Sequence, residues 1–468
     1  MERERFVVIG GVAAGMSAAS RAKRNKPEMS VTVLERGKFV SYGSCGLPYF
    51  VSDLVKDVQG LVVHDATFFM EKRGIEVLTR HEVTGIDTKN KVVLAQNLEN
   101  GDEITLRYDK LAICTGASPL RPELPGADLK NVFVIRTAED GVILKDFIRE
   151  TAPKMAVIIG AGLIGLEMAE AFRARGLNVA VLKRPGRSIL RMFDDDMAEL
   201  VEKELKRNSV DVARNAAIQG FEGDSEGRVR LAILDGKSYP ADLILLATGS
   251  RPNSALAKQA ELEVAPNGTI VVNERMQASK PGIFAAGDCV GQRHLITGKD
   301  VYIPRGTTAN KQGRVAGDNA SGGNDVFKGV VGTAVSKIFD LTVACTGLSS
   351  AEAAGEGYDF ATSTIAHPSH GHTYLNPEPE DITIKLVMDR RTGKLLGAQM
   401  VGKLGVAKRI DVFAAALQGD MTVEEISRLD LSYSPPFAPV WDSILVAVNM
   451  GLRNLLSKDT HSSKTEQK

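Results

Sequence analysis

The sequence lacks any long apolar run. None approaches the ~18 residues of a membrane span, so no transmembrane helix is expected. It has only four cysteines in 468 residues, and none forms a CxxC pair. That excludes a disulfide framework and points to a reducing, cytoplasmic compartment in which one reactive thiol stands out. Charge of one sign is also missing. Lys+Arg and Asp+Glu both number 58, so formal net charge is zero. A nucleic-acid-binding or polybasic membrane protein is not expected from that balance. The charged start, Met1 to Arg5, runs directly into a strand-like stretch and shows no signal or transit peptide.

What the chain does contain is a repeat. Phe6 to Gly15 (FVVIGGVAAG) is followed by a helix-like stretch and then by a strand ending at Glu35. Met155 to Gly165 (MAVIIGAGLIG) is followed by the same succession, ending at Lys183. Each is a strand, a glycine turn, a helix and a second strand, which is a βαβ unit. Each copy is followed by an apolar run closed by Thr-Gly, at Thr115-Gly116 and at Thr248-Gly249. From about Asn324 the pattern changes to alternating stretches such as Ile382 to Met388, then a helical stretch from Val406 to Gln418. This reads as an α+β domain. Residues 457–468 are polar, without apolar period, and are expected to form a disordered tail.

Gly160-Ala161-Gly162-Leu163-Ile164-Gly165 fits G-x-G-x-x-G between strand and helix. The first glycine permits the turn, the second lets backbone approach a pyrophosphate, and the third lets helix and strand pack. Free N–H groups at the helix start then face the phosphates. The first copy keeps Gly10, Gly11 and Gly15 but has Val12 at the middle position. Glu35, at the end of its second strand, is placed to bond ribose hydroxyls, or else is a surface acid ending a strand. The second copy has Lys183 there, with Arg184 and Arg187 beside it. Cations favour a 2′-phosphate, so this is either a site that leans to NADPH or a solvated basic turn on a site that takes NADH through other contacts. Two nucleotide units suggest two nucleotides, one a tightly held flavin and one a pyridine nucleotide. Asp288, after Ala285-Ala286-Gly287, is placed to accept from the flavin's ribityl chain.

Cys45 lies in Val40 to Phe50 (VSYGSCGLPYF), between two glycines, and the chain is expected to turn helical just after it (FVSDLV). A thiol at a helix N-terminus gains thiolate character. Cys114, Cys289 and Cys345 lie in apolar contexts and read as structural. No second Cys follows Cys45 within a turn; five along is Phe50. The thiolate must therefore pair with an external thiol or carry oxygen as a sulfenic acid.

These motifs, in this order, resemble a pyridine nucleotide-disulfide oxidoreductase of the single-cysteine branch. The resemblance covers both glycine motifs, Ser41 to Tyr49, both Thr-Gly motifs, Gly287-Asp288 and Ala309 to Arg314. It implies an α/β fold of glutathione-reductase type: two Rossmann-like dinucleotide-binding domains plus a C-terminal α+β dimerisation domain. The FAD-binding domain would comprise 1–118 and 251–323, the NAD(P)H-binding domain 119–250, and the dimerisation domain 324–456. It implies FAD, NAD(P)H and a homodimer whose active site is completed by the partner subunit. The candidate cofactor residues are Gly10, Gly11, Ala13, Ala14, Gly15, Glu35, Arg36, Ser44, Val83, Thr115, Gly116 and Asp288 in the first unit. In the second they are Gly160, Gly162, Leu163, Ile164, Gly165, Glu167, Lys183, Arg184 and Gly249.

Within that branch the chain is most similar to coenzyme A-disulfide and coenzyme A persulfide reductases. Ser41, Ser44 and Cys45 fall on that group's S-x-x-[NS]-C pattern. The resemblance implies coenzyme A as substrate or bound ligand, held by Arg21, Arg24, Lys72 or Arg73 with Ser41 and Ser44. It gives catalytic roles to Cys45, Tyr433 and Tyr374, with Thr373 standing where the group has its other tyrosine. His367, His370 and His372 are expected to line a loop and hold no metal. Two further readings stay open. One is an NAD(P)H oxidase or peroxidase cycling Cys45 through sulfenic acid, against which stands Ala13 where those enzymes have His. The other is an electron-delivery flavoprotein with a macromolecular partner. The chain's end shortly after Met450-Gly451 leads us to expect no fused rhodanese domain.

Overall fold

The computed structural model describes residues 3–184, 189–371 and 378–456. Arg187, His372, Thr373, Tyr374 and the expected tail at 457–468 lie outside the described residues.

Two parallel five-stranded sheets repeat one plan. In the first the order is Ile75–Thr79, Ser30–Glu35, Arg5–Ile9, Lys110–Ile113 and Ile283–Ala285. In the second it is Val210–Ala213, Asn178–Leu182, Met155–Ile159, Leu243–Leu246 and Val132–Phe133. The central strands carry near-continuous apolar runs, such as Phe6–Ile9, Ala156–Ile159 and Leu243–Leu246, because both faces are covered. Phe6, Val8, Ile158 and Leu245 are fully buried. The repeat read from Gly10 and Gly160 is therefore a repeat in space. The fifth strand differs: the first unit takes it from later in the chain, the second from earlier.

The strands Ala117–Pro119 and Ser250–Pro252 pair antiparallel where the chain leaves and re-enters the first unit. The expected limits at 118/119 and 250/251 fall on this ribbon. Two three-stranded antiparallel sheets also form, within 81–107 and 218–240, with no counterpart among the sequence-based expectations.

The helix Gly306–Ala320 crosses the first glycine-turn helix, Ala13–Asn25. A Cβ on Gly313 would lie 2.2 Å from the Ala14 carbonyl oxygen, and one on Gly317 2.2 Å from that of Ala18. Glycine at these two positions lets the backbones touch. This brings the Ala309–Arg314 segment against the first nucleotide turn.

The C-terminal region is an antiparallel sheet ordered Ala334–Ile338, Leu341–Gly347, Leu395–Gly402, Asp381–Asp389 and Phe360–Pro368. The helices Val406–Gln418 and Ser443–Leu456 cover it through Ile410, Phe413, Ile444 and Val448. The second unit is bonded to this sheet. Ser336 Oγ donates to Glu167 Oε1 at 2.6 Å, and the Phe339 N–H to Glu170 Oε2 at 2.8 Å. Among the described residues, no helix is long and apolar enough to cross a membrane.

Candidate active site

Both glycine turns are built as their spacing requires. Gly10 and Gly160 have φ of 105° and 117°. A Cβ on Gly15 would sit 1.7 Å from the Gly10 oxygen, and one on Gly165 2.1 Å from the Gly160 oxygen. These four glycines serve the fold. Gly162 does not: a Cβ there would meet nothing within 4 Å. Leu163 opens the following helix, so its free N–H groups face that open space. The residues fit an incoming pyrophosphate.

The two units differ at one linked pair. In the first, Glu35 folds under the turn and accepts from the Gly11 N–H at 2.6 Å and the Gly37 N–H at 2.7 Å. Gly11 has no room for a Cβ, which would lie 3.0 Å from Glu35 Cβ and 2.8 Å from Val40 Cγ1. Burial pushes the Glu35 carboxyl above its usual range, and the two N–H donors oppose this. Each oxygen keeps a lone pair for a ribose hydroxyl. In the second unit Ala161 replaces Gly11, and half-buried Lys183 follows the strand with exposed Arg184 next to it. Burial, then the Arg214 charge, draws the Lys183 ammonium below its ordinary value.

Further first-unit residues converge. Arg136 Nη2 donates to Asp288 Oδ2 at 2.6 Å and lies 3.7 Å from the Cβ position of Gly116. Thr115 Oγ1 donates to the Asn253 carbonyl at 2.6 Å, tying the Thr-Gly motif to the returning chain. Beside Asp288 the Gly287 N–H donates to Gln312 Oε1 at 2.9 Å, while Gln312 Nε2 is buried without a partner. A buried orphan donor is costly, and a flavin's polar chain beside Asp288 would satisfy it. The site thus fits FAD. Val83 is buried behind Leu34, and Arg36 forms an exposed ion pair with Glu82. Gly249 has φ of 115° and its carbonyl accepts from Leu120 N–H at 2.9 Å.

Cys45 is exposed. Its loop is fixed on the first glycine turn: the Ser41 N–H donates to the Gly11 carbonyl and the Gly43 N–H to that of Leu61, both at 2.9 Å. The local expectation needs correction. The helix after Cys45 spans only Leu47–Val51, and Cys45 lies before it in the 3₁₀ turn Ser44–Gly46. Asp53 stops it by turning left-handed at φ 73°. So short a helix contributes little dipole. Leu47, Phe50 and Val51 join a core with Leu166 and Phe172 of the second unit, which locks the cysteine segment between the two units. Cys289 and Cys345 are buried, and burial pushes the Cys114 and Cys289 thiols up and Cys345 to about 12.

Two clefts flank the cysteine segment. One, of about 640 Å³, joins Pro48, Tyr49 and Ser52 to Glu167, Glu170 and Lys337. Glu167 therefore faces the cysteine segment, and burial raises its carboxyl above the ordinary value. The other, of about 380 Å³, is lined by Ser41, Tyr42 and Gly43 together with Ser17, Ser20, Arg21, Arg24, His64, Arg73, Asn310 and Arg314. No carboxylate lines it. Arg21 reaches this cleft but is held by Asp318 at 2.8 Å, whereas Arg24, Arg73 and Arg314 are exposed and form no ion pair with a carboxylate among the described residues. Lys72 is not among the residues that line this cleft. Sequence reasoning missed Arg314, Asn310, His64, Arg136 and Gln312. Arg314 sits nearly 300 residues from Arg24, and only the helix crossing brings them together.

Tyr433 is exposed by 51% on a segment with Phe437, Val440 and Trp441, which are exposed by 77%, 71% and 61%. Among the described residues, Tyr433 lines neither cleft beside the cysteine segment. His367 Nδ1 lies 3.3 Å from Ser443 Oγ and His370 Nδ1 2.9 Å from Ser369 Oγ.

Comparison with known proteins accords with this geometry. Residues 4–313 match the pyridine nucleotide-disulphide oxidoreductase model, and residues 333–443 match the dimerisation domain of the same enzymes. An NAD(P)H coenzyme A polysulfide/persulfide reductase of Pyrococcus horikoshii is 41% identical over 95% of this chain and 97% of its own. A protein of Methanocaldococcus jannaschii named NADH oxidase is 35% identical over 97% of this chain and 100% of its own. The structure of an NAD-dependent persulfide reductase from A. fulgidus superposes with a TM-score of 0.92 at 40% identity, over 96% of this chain and 83% of that one. The chain belongs to the pyridine nucleotide-disulphide oxidoreductase family.

Proposed function

We propose that this chain is an FAD-dependent NAD(P)H reductase of coenzyme A disulfide or coenzyme A-type persulfides, with Cys45 as its single redox cysteine. One observation carries the reading. The cleft lined by Ser41–Gly43, two residues from exposed Cys45, holds Arg24, Arg73 and Arg314 and no carboxylate. Three guanidinium groups with no carboxylate partner among the described residues suit a thiol that carries phosphates; oxygen and peroxide need none of them. The polysulfide/persulfide reductase relative, named for coenzyme A, supports the same substrate class.

The Cys45 thiolate attacks the substrate disulfide. A bond forms between Cys45 Sγ and one substrate sulfur, the substrate S–S bond breaks, and a thiolate leaves. With a persulfide the leaving group is coenzyme A or sulfide. Bound FAD would relay the electron pair of NAD(P)H to the resulting mixed disulfide. Cleavage of that bond returns Cys45 as thiolate and frees the second thiol. One NAD(P)H and one proton then balance two thiols released from each disulfide. Glu167, bonded by Ser336, lines the cleft beside the cysteine segment and would meet a nicotinamide that enters there. Tyr433 from a second copy donates a proton to the leaving thiolate. Exposure of Tyr433 with Phe437 and Trp441 on the dimerisation domain supports a homodimer. A free exposed thiol of this kind suits the reducing cytoplasm.

The test is Cys45→Ser, assayed by NAD(P)H oxidation with coenzyme A disulfide. Turnover should vanish while NAD(P)H still reduces the bound flavin. Full turnover in the variant overturns the mechanism. A second reading follows from the relative named NADH oxidase: Cys45 cycling through sulfenic acid. It requires rapid oxygen or peroxide turnover without any thiol substrate, and stoichiometric sulfenate on Cys45.

A further inference from the structure

We infer that Arg409 is a positioning residue, which sets the shape of the segment carrying Tyr433. The inference rests on the role given to Tyr433 above. Arg409 lies on the helix Val406–Gln418, is only 8% exposed, and spends its guanidinium chiefly on two other pieces of chain. Its Nε donates to both Asp442 oxygens, at 3.1 and 3.0 Å. Its Nη2 donates to the Ser369 carbonyl at 2.9 Å and to the Phe437 carbonyl at 3.0 Å. Nη1 reaches back to the Gly405 carbonyl at 3.3 Å.

These bonds knit two loops together. Asp442 Oδ1 also accepts from the Ile444 N–H at 2.9 Å and so starts the helix Ser443–Leu456. Ser443 Oγ donates to the Pro368 carbonyl at 3.0 Å. The Gly371 N–H donates to the Pro435 carbonyl at 2.8 Å, two residues from Tyr433. Between Leu431 and Asp442 the backbone forms no helix or strand. Its shape is therefore fixed from below, by the Arg409 fork, while Tyr433, Phe437, Val440 and Trp441 point outward. A buried ion pair is a poor way to add stability, since apolar side chains of the same size do as well. What a planar guanidinium adds is direction: it satisfies a carboxylate and two carbonyls at fixed angles, which an ammonium cannot. That is the property a tyrosine needs if it must meet a sulfur held by another subunit.

The test is a double-mutant cycle of Arg409→Lys with Tyr433→Phe in the dimeric, flavin-loaded enzyme. Stopped flow follows flavin reduction by NAD(P)H and, separately, reoxidation by coenzyme A disulfide. Arg409→Lys should slow reoxidation about tenfold and leave flavin reduction unchanged. In the Tyr433→Phe background it should add less than about twofold, because both act through one group. Fully multiplicative slowing overturns the inference and leaves the proposed function standing. Wild-type reoxidation in Tyr433→Phe alone overturns the role of Tyr433, and with it the inference. Where Arg409→Lys does not assemble, Gly371→Ala takes its place in the cycle. Its Cβ would press on Pro435 at 3.3 to 3.5 Å and move the same segment without touching a buried charge.

Discussion

Arg21 and Asp318 are joined by two hydrogen bonds, from Nε at 3.1 Å and from Nη2 at 2.8 Å to the same carboxylate oxygen. Asp318 is itself buried and also accepts from Asn25 at 2.9 Å. The pair joins the two crossing helices, while Arg24, one turn on, has no carboxylate partner among the described residues. The proposed function therefore predicts that these two arginines, three residues apart, divide into a structural and a binding one. Arg24→Ala should raise KM for coenzyme A disulfide about tenfold, the loss of one charge-assisted contact, with thermal stability unchanged. Arg21→Ala should lower Tm by several degrees, because it strands a buried carboxylate. Steady-state kinetics and a melting curve for each variant check both. Equal KM effects without a stability difference would refute the division.

Gly317 and Gly162 make a second contrasting pair. Gly317→Ala drives a Cβ into the Ala18 carbonyl at 2.2 Å, backbone against backbone, and should cost about 1–3 kcal/mol in urea unfolding. Gly162→Ala meets no protein atom within 4 Å, so its stability should stay within about 1 kcal/mol of the parent. Its KM for NAD(P)H should rise instead. A Gly162→Ala enzyme with unchanged KM would mean that the open space is not a pyrophosphate site.

Lys183 and Arg184 follow the strand Asn178–Leu182 directly, whereas Glu35 ends its counterpart. Lys183→Glu should weaken NADPH by about tenfold or more, by replacing attraction to the 2′-phosphate with repulsion, and should spare NADH. The ratio of kcat/KM for the two nucleotides measures this. An unchanged ratio would assign nucleotide choice to other residues.

Burial raises the Glu167 carboxyl above its ordinary value of 4.5. Between 4.5 and the raised value, the folded chain keeps a proton that the unfolded chain has lost. This group's contribution to stability therefore falls as pH rises through that window. Glu167→Gln removes the titration, so its stability relative to the parent should improve as pH rises from 4.5. Denaturant midpoints of both proteins along a pH series give the sign. A difference that moves the other way, or not at all, would refute the buried, proton-retaining carboxyl.

The repeat of Phe6–Glu35 in Met155–Lys183 was legible because glycine turns and fully apolar strands are local signals, and both units formed as spaced. The helix Val406–Gln418 was legible from its apolar period. Local reading stopped short at Cys45. Its short 3₁₀ turn and five-residue helix are set by packing of Leu47 and Phe50 into another unit, which no window around Cys45 reveals. The anion cleft was half visible. Arg24 and Arg73 lie near the cysteine in sequence, but Arg314 arrives through the Gly313–Gly317 helix crossing. Arg409 was invisible for the same reason, since its four partners come from three separate segments.

The proposed function requires that Cys45 form a mixed disulfide with coenzyme A. The intact mass of the purified, denatured, unreduced protein, repeated after dithiothreitol and followed by peptide mapping, tests this. The expected result is an adduct with the mass of coenzyme A, on Cys45 alone and lost on reduction. Added oxygen on Cys45 with no thiol adduct, in protein incubated with coenzyme A disulfide, would contradict it.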